Sequence, residues 1–189
     1  FIFFILTCYF IASFEWQNMS KNKPYNLLGH MFLILSFFSV FYIRNYFGEN
    51  SLFIFLLLIL ICISSDLGGY LFGKIIKGPK LTKISPKKTY SGAIGGFILA
   101  IFFSIIYFDF SHNVTEQNIV LGKKEFIFIL IISTVSQVGD IIVSYFKRLS
   151  KLDDTGNIIP GHGGILDRID GMIFVFPFFL IFNFLIKLI

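Results

Sequence analysis

Six apolar blocks, at roughly residues 1–14, 26–43, 51–73, 92–110, 125–146 and 165–189, make up most of this chain, and polar connectors separate them. Most of the blocks approach the ~20 apolar residues that a helix needs to cross the hydrocarbon core of a bilayer. A segment in lipid must satisfy its own backbone N–H and C=O groups, and a helix does so within itself. The expected fold is therefore all-α, a polytopic transmembrane bundle of about six spanning helices. Composition agrees: 56% of the 189 residues are hydrophobic, 27 are Phe, and 14% are charged. A water-soluble domain of this size would expose too much apolar surface. The first block begins at Phe1 with no basic leader and no small-residue cleavage site after it, so it reads as a truncated spanning helix rather than a signal peptide. Cys8 and Cys62 both lie in apolar blocks and read as small buried hydrophobes.

The basic residues orient the bundle. Lys21 and Lys23 lie in the first connector. Lys74, Lys77, Lys80, Lys83, Lys87 and Lys88 lie in the third, and Lys147, Arg148, Lys151 and Arg168 in the fifth. These alternate connectors share one side of a six-helix arrangement and hold 12 of the 16 Lys and Arg residues. The positive-inside rule makes that side cytoplasmic. Its charge would attract anionic lipids and polyphosphates.

Acids stand where a passive spanning helix would avoid them. Asp66 is late in the third block, Asp140 late in the fifth, and Asp167 and Asp170 open the sixth. The deduced topology brings all of them toward the cytoplasmic end. Asp140, Ser144 and Lys147 stand at i, i+4 and i+7, on one helix face, and Asp167 and Asp170 at i and i+3 also share a face. Converging carboxylates near a membrane surface are hard-oxygen donors suited to Mg²⁺, which binds through few carboxylates plus substrate phosphates. The reading is a diphosphate or triphosphate substrate. The alternative is that each acid pairs with a nearby base or caps a helix.

The third connector reads Ser85-Pro86-Lys87-Lys88-Thr89-Tyr90-Ser91-Gly92, with Gly95 and Gly96 following. Hydroxyls, lysine and glycines at a helix start suit an anion cradle. The spacing is not that of a Walker loop. A positive-inside loop followed by close helix packing through Gly92 and Gly96 explains the same residues. His162, between Gly161 and Gly163-Gly164, is placed to donate to phosphate, and its glycines allow close approach of a ligand. His30 reads as a helix-face residue and His112 as an exposed loop residue.

Together these residues resemble a known signature. Ser144, Lys147, Arg148, Asp154, Gly156, Ile159, Pro160, His162, Gly163, Gly164, Asp167, Arg168 and Asp170 stand at the spacings of the phosphatidate cytidylyltransferases, the CDP-diacylglycerol synthases. Asp66-x-Gly68-x-Tyr70-x-x-Gly73, Ser85-Pro-x-Lys88-Thr89 and Gly92-x-x-Gly95-Gly96 are also similar to that family. The resemblance covers about residues 60–189. It divides the chain into N-terminal transmembrane helices (1–59) and a catalytic core (60–189) of one integral domain. Two positions depart from the pattern: Asp153 stands where the family usually has Lys, and Val143 where it often has an acid.

The resemblance implies condensation of CTP with phosphatidate to CDP-diacylglycerol and pyrophosphate, with Mg²⁺ and room for a second cation. Under it, Asp140, Asp167 and Asp170 are the metal ligands. Lys147, Arg148, Arg168 and His162 hold phosphates. Ser85, Lys88 and Thr89 form a second phosphate contact, and Asp66, Ser144, Asp154, Gly163 and Gly164 complete substrate binding. The expected partners are CTP, phosphatidate, the lipid bilayer and a second copy in a homodimer, with no nucleic acid. The abundance of Ile, Lys, Phe and Asn suggests an AT-rich bacterial genome, hence the inner membrane. Two alternatives stand: a related transferase with another lipid-phosphate acceptor, and an ion-coupled transporter, whose acids would lie at mid-membrane in repeated halves.

Overall fold

The computed structural model describes residues 1–115, 122–158 and 163–188. Its elements are α1 (Ile2–Ser20), α2 (Asn26–Tyr46), α3 (Ser51–Ile75), α4 (Tyr90–Thr115), α5 (Lys123–Leu149), α6 (Leu166–Ile169) and α7 (Met172–Leu188). The expected all-α class holds among the described residues, and Lys80 and Thr89 form an isolated antiparallel bridge. Among the described residues four helices, α2 to α5, are long and apolar enough to cross a membrane. The sequence reading was about six. The helix of the first block runs on past its apolar part through Glu15, Gln17, Asn18 and Ser20. The sixth block divides at Asp170 and Gly171 into short α6 and α7, and Pro177 lies inside α7.

The chain forms two compact units, one of residues 1–52 with 139–189, the other of residues 53–138. In the first unit, α1 packs on α2 and α2 on α7. Its core is Ala12, Trp16, Met19, Leu33, Val143, Leu166 and Ile173. Trp16 sets the α1–α2 spacing. Its ring lies where a Cβ on Gly29 would stand, and its Nε1 donates to the Asn26 carbonyl at 3.0 Å. The same ring meets Phe146 edge-on at 5.2 Å, the geometry that aromatic quadrupoles favour. Serine hydroxyls tie helices together where lipid cannot satisfy them. Ser36 Oγ donates to Ile173 O and Ser150 Oγ to Met19 O, each at 2.7 Å. His30 is a helix-face residue, as expected, hydrogen-bonded to Ser13 and Gln17.

The second unit is built on glycine. A Cβ on Gly68 of α3 would stand 2.3 Å from the Gly95 carbonyl oxygen of α4, and one on Gly92 would stand 2.6 Å from Gly69 O. Backbones approach this closely only where side chains are absent. Ser65 and Ser133 hydroxyls meet at 2.8 Å. Gln137 Nε2 reaches Ser65 Oγ, Ser133 Oγ and Ala93 O at 3.3–3.4 Å. The lysine-rich connector folds back on itself through Leu81 N–H to Lys88 O (2.8 Å) and Tyr90 N–H to Pro79 O (3.2 Å). Cys62 is fully buried and Cys8 partly so.

Gly68→Ala should destabilise the protein by about 1–3 kcal/mol, the usual cost of overpacking. Gly69→Ala, whose Cβ would find only ordinary contact at 3.9 Å, should unfold at the wild-type temperature. Thermal unfolding in detergent compares the two.

Candidate functional site

In the first unit the site grows from the last turns of α5. Asp140, Ser144 and Lys147 fall on one face, and Ser144 Oγ lies 3.5 Å from Asp140 Oδ1. Lys147 Nζ reaches Asp167 Oδ1 at 2.7 Å, and both side chains are largely buried, at 11% and 7% exposure. After α5 the chain turns sharply, with Lys151 at φ +59°. Arg148 uses this turn. It pairs with Asp153 and donates to Leu152 O at 3.2 Å, and both charged side chains are exposed. Asp153, the departure from the expected lysine, is thus an exposed partner for Arg148. Val143, the other departure, is 3% exposed within the core.

Asp167 organises the segment between the helices. Its Oδ2 accepts from Thr155 N–H at 2.8 Å, Thr155 Oγ1 at 2.9 Å and Gly164 N–H at 3.0 Å. Burial alone raises the pKa of the Asp167 carboxyl. The Lys147 hydrogen bond and charge and the Gly164 and Thr155 N–H groups outweigh burial and hold it below its usual value. The two signature glycines meet different constraints. Gly163 has φ +82°, a conformation other residues rarely adopt. Gly164 has no room: a Cβ there would lie 2.4 Å from Thr155 Oγ1 and 2.5 Å from the Glu15 oxygens. Asp154, which is exposed, packs its Cβ and Cγ beside Gly163. Asp170 is buried and accepts from Gly171 N–H at 2.9 Å. Arg168 is exposed on α6. His162 lies outside the described residues.

The remaining predicted residues belong to the second unit. Asp66 is exposed on α3. Ser85 makes a tight turn: its N–H meets Thr82 Oγ1 at 3.1 Å and its carbonyl accepts Lys88 N–H at 3.0 Å. Lys88 Nζ approaches Gln137 O at 3.4 Å. Thr89 Oγ1 accepts from Gly92 N–H at 3.1 Å and so caps α4.

One residue escaped the sequence reading. Glu15, 2% exposed on α1, accepts Ile165 N–H at 2.9 Å, Leu166 N–H at 2.8 Å and Thr155 Oγ1 at 3.2 Å. The signal was available: an acid in an apolar helix, the same criterion that picked out Asp66 and Asp140. The first block was closed at Phe14, one position short.

The lowered Asp167 pKa has a pH consequence. Its stabilisation is complete above the ordinary carboxyl value of 3.8 and is lost as pH falls through the lower folded value. The melting-temperature gap between wild type and Asp167→Asn should therefore stay constant from about pH 5 to 8 and close only under stronger acid. Melting in detergent across that range measures it.

Comparison with known proteins identifies the family. Residues 1–186 match the cytidylyltransferase family. A phosphatidate cytidylyltransferase of Rickettsia felis is 35% identical over 172 residues, covering 86% of this chain and 72% of that protein. One from Haemophilus influenzae is 40% identical over 142 residues, covering 72% of this chain and 48% of the relative. One from Staphylococcus aureus is 45% identical over 117 residues, covering 60% and 42%. With a match this long, the chain belongs to the cytidylyltransferase family.

Proposed function

We propose that this membrane-embedded chain condenses CTP with phosphatidate, giving CDP-diacylglycerol and pyrophosphate. Membership of the cytidylyltransferase family, with relatives named phosphatidate cytidylyltransferase, carries the reading. The observation that supports it in the fold is the buried Lys147–Asp167 pair between α5 and α6. An oxygen of the phosphatidate phosphate bonds to the α-phosphorus of CTP. The bond from that phosphorus to the bridging oxygen breaks, and pyrophosphate leaves. The phosphate monoester, with a second pKa of ~6, is mostly dianionic at neutral pH. It attacks without a general base, so the protein's work is positioning and charge compensation. Lys147, Arg148, Arg168 and His162 hold phosphate oxygens. Ser85, Lys88 and Thr89 supply a second phosphate contact, and Asp66, Ser144, Asp154, Gly163 and Gly164 shape the substrate site. The Arg148 side chain, at 44% exposure, has little to lose in exchanging Asp153 for a phosphate.

The donor set fits Mg²⁺. Among the described residues no three His, Cys, Asp or Glu side chains form a ready-made cage, and Mg²⁺ commonly uses one or two carboxylates with substrate phosphates. Asp167 Oδ2 is engaged by three donors, whereas the contact of Oδ1 is a single flexible ammonium. That oxygen already suits a cation. Asp167 would hold the ion, with Asp140 and Asp170 as further candidate ligands that do not stand with it as a ready group of three. The charge of the ion, and of any second cation, would when bound offset that of the phosphates.

The six apolar blocks support a six-span arrangement in which α1 and α7 cross with α2 to α5. The lysine-rich connectors support a cytoplasmic site. With the bacterial relatives, they support an inner-membrane setting, and a homodimer is part of the proposal.

Asp167→Asn should lower turnover of labelled CTP with phosphatidate by about 10²–10³-fold, as loss of a preorganised charge does. The variant should remain folded in detergent by size exclusion. Near wild-type turnover would remove Asp167 from the site. The same assay with other lipid phosphates, and without added Mg²⁺, tests the acceptor and the cofactor.

A further inference from the structure

We propose that Glu15 is a positioning residue for the transfer reaction: from α1 it holds Thr155 and the Ile165–Leu166 backbone together and so fixes the direction in which Asp167 presents Oδ1, the oxygen that meets Lys147. The inference rests on the function proposed above and adds to it a residue outside the signature.

The geometry is specific. Glu15 Oε1 takes Ile165 N–H, and Oε2 takes Leu166 N–H and the Thr155 hydroxyl. The two N–H groups open α6, the helix that carries Asp167 and Arg168. Such N–H groups have no partner within their own helix. At the other end, the Thr155 hydroxyl stands between two acids, 3.2 Å from Glu15 Oε2 and 2.9 Å from Asp167 Oδ2. Thr155 N–H and Gly164 N–H complete the set on Asp167 Oδ2. Every donor on that oxygen is therefore mounted on the segment that Glu15 holds. With Oδ2 fixed, Oδ1 is left pointing at Lys147.

The backbone is shaped around this carboxyl. A Cβ on Gly156 would come within 2.8 Å of Glu15 Oε1, and one on Gly164 within 2.5 Å of both its oxygens. An acid at 2% exposure in an apolar helix is costly to keep. A capping role alone would need a single acceptor at the helix start. The third contact, to Thr155, links Glu15 to the reacting centre.

The test uses the full chain in detergent or nanodiscs with CTP, phosphatidate and Mg²⁺. Glu15→Gln keeps the length but offers one acceptor oxygen and turns an amide N–H toward the donors on the other side. It should lower kcat by about 10–10²-fold, the scale of an ångström-level misplacement, while KM for phosphatidate stays within about twofold because Glu15 does not touch lipid. Thr155→Val removes only the hydroxyl link and should lower kcat in the same way. In the double variant the two losses should overlap rather than multiply, as for residues acting through one network. Wild-type kcat in Glu15→Gln overturns the proposal, and so do losses that multiply. If Glu15→Gln does not fold, Thr155→Val decides: reduced kcat at unchanged KM supports the link, and wild-type kcat overturns it. Failure of the wild-type chain to turn over CTP and phosphatidate is a different result. It overturns the proposed function, while hydrogen exchange at the Ile165 and Leu166 amides still reports whether Glu15 holds the segment.

Discussion

Two buried carboxyls, Glu15 and Asp167, answer the backbone of one irregular segment, and the order of the site depends on that exchange. Between α5 and α6 the described residues make no regular hydrogen-bond ladder, and buried unpaired N–H groups there would cost heavily. Glu15 accepts two N–H groups and a hydroxyl, and Asp167 accepts two N–H groups, the same hydroxyl and Lys147. Backbone satisfaction and charge placement are here one and the same set of bonds. Removing either acid leaves donors stranded, which is why neither is replaceable by an apolar residue of similar size.

The helices around this segment divide their labour. α1 and α2 lock through Trp16 lying over Gly29, and α2 holds α7 through Ser36. These contacts are aromatic packing and single hydroxyl bonds, the means available where lipid removes the hydrophobic contrast between inside and outside. In the other unit, glycine contact between α3 and α4 and the Gln137 node do the same with smaller groups.

Much of this was legible in the sequence, for physical reasons. Lipid demands long apolar helices, so hydropathy marks them directly, and the middle four blocks became α2 to α5 with boundaries shifted by a few residues. The i, i+4, i+7 spacing of Asp140, Ser144 and Lys147 survived because a helix has one geometry, as the Ser144–Asp140 contact shows. Boundaries failed where polarity and helicity part company: the polar last turns of α1 remain helical, and the block from Ile165 onward breaks at Gly171. Partners across the chain were not legible. The resemblance named Asp167 and Gly164, but no periodicity connects Gly164 with Glu15, whose oxygens a Cβ on Gly164 would meet. Thr89 is similar: the motif does not show that its hydroxyl caps α4.

The Glu15 contacts also impose an order in time. Glu15 leaves the ribosome 150 residues ahead of Ile165, its hydrogen-bond partner. At synthesis rates of about 5–20 residues per second, that is an interval of roughly 8–30 s. Throughout it, an apolar helix carries an acid whose partners do not yet exist. α1 must therefore keep this end near water, or near other polar groups, until α6 arrives. Although made well before α6, α1 thus reaches its final environment only when α6 is in place.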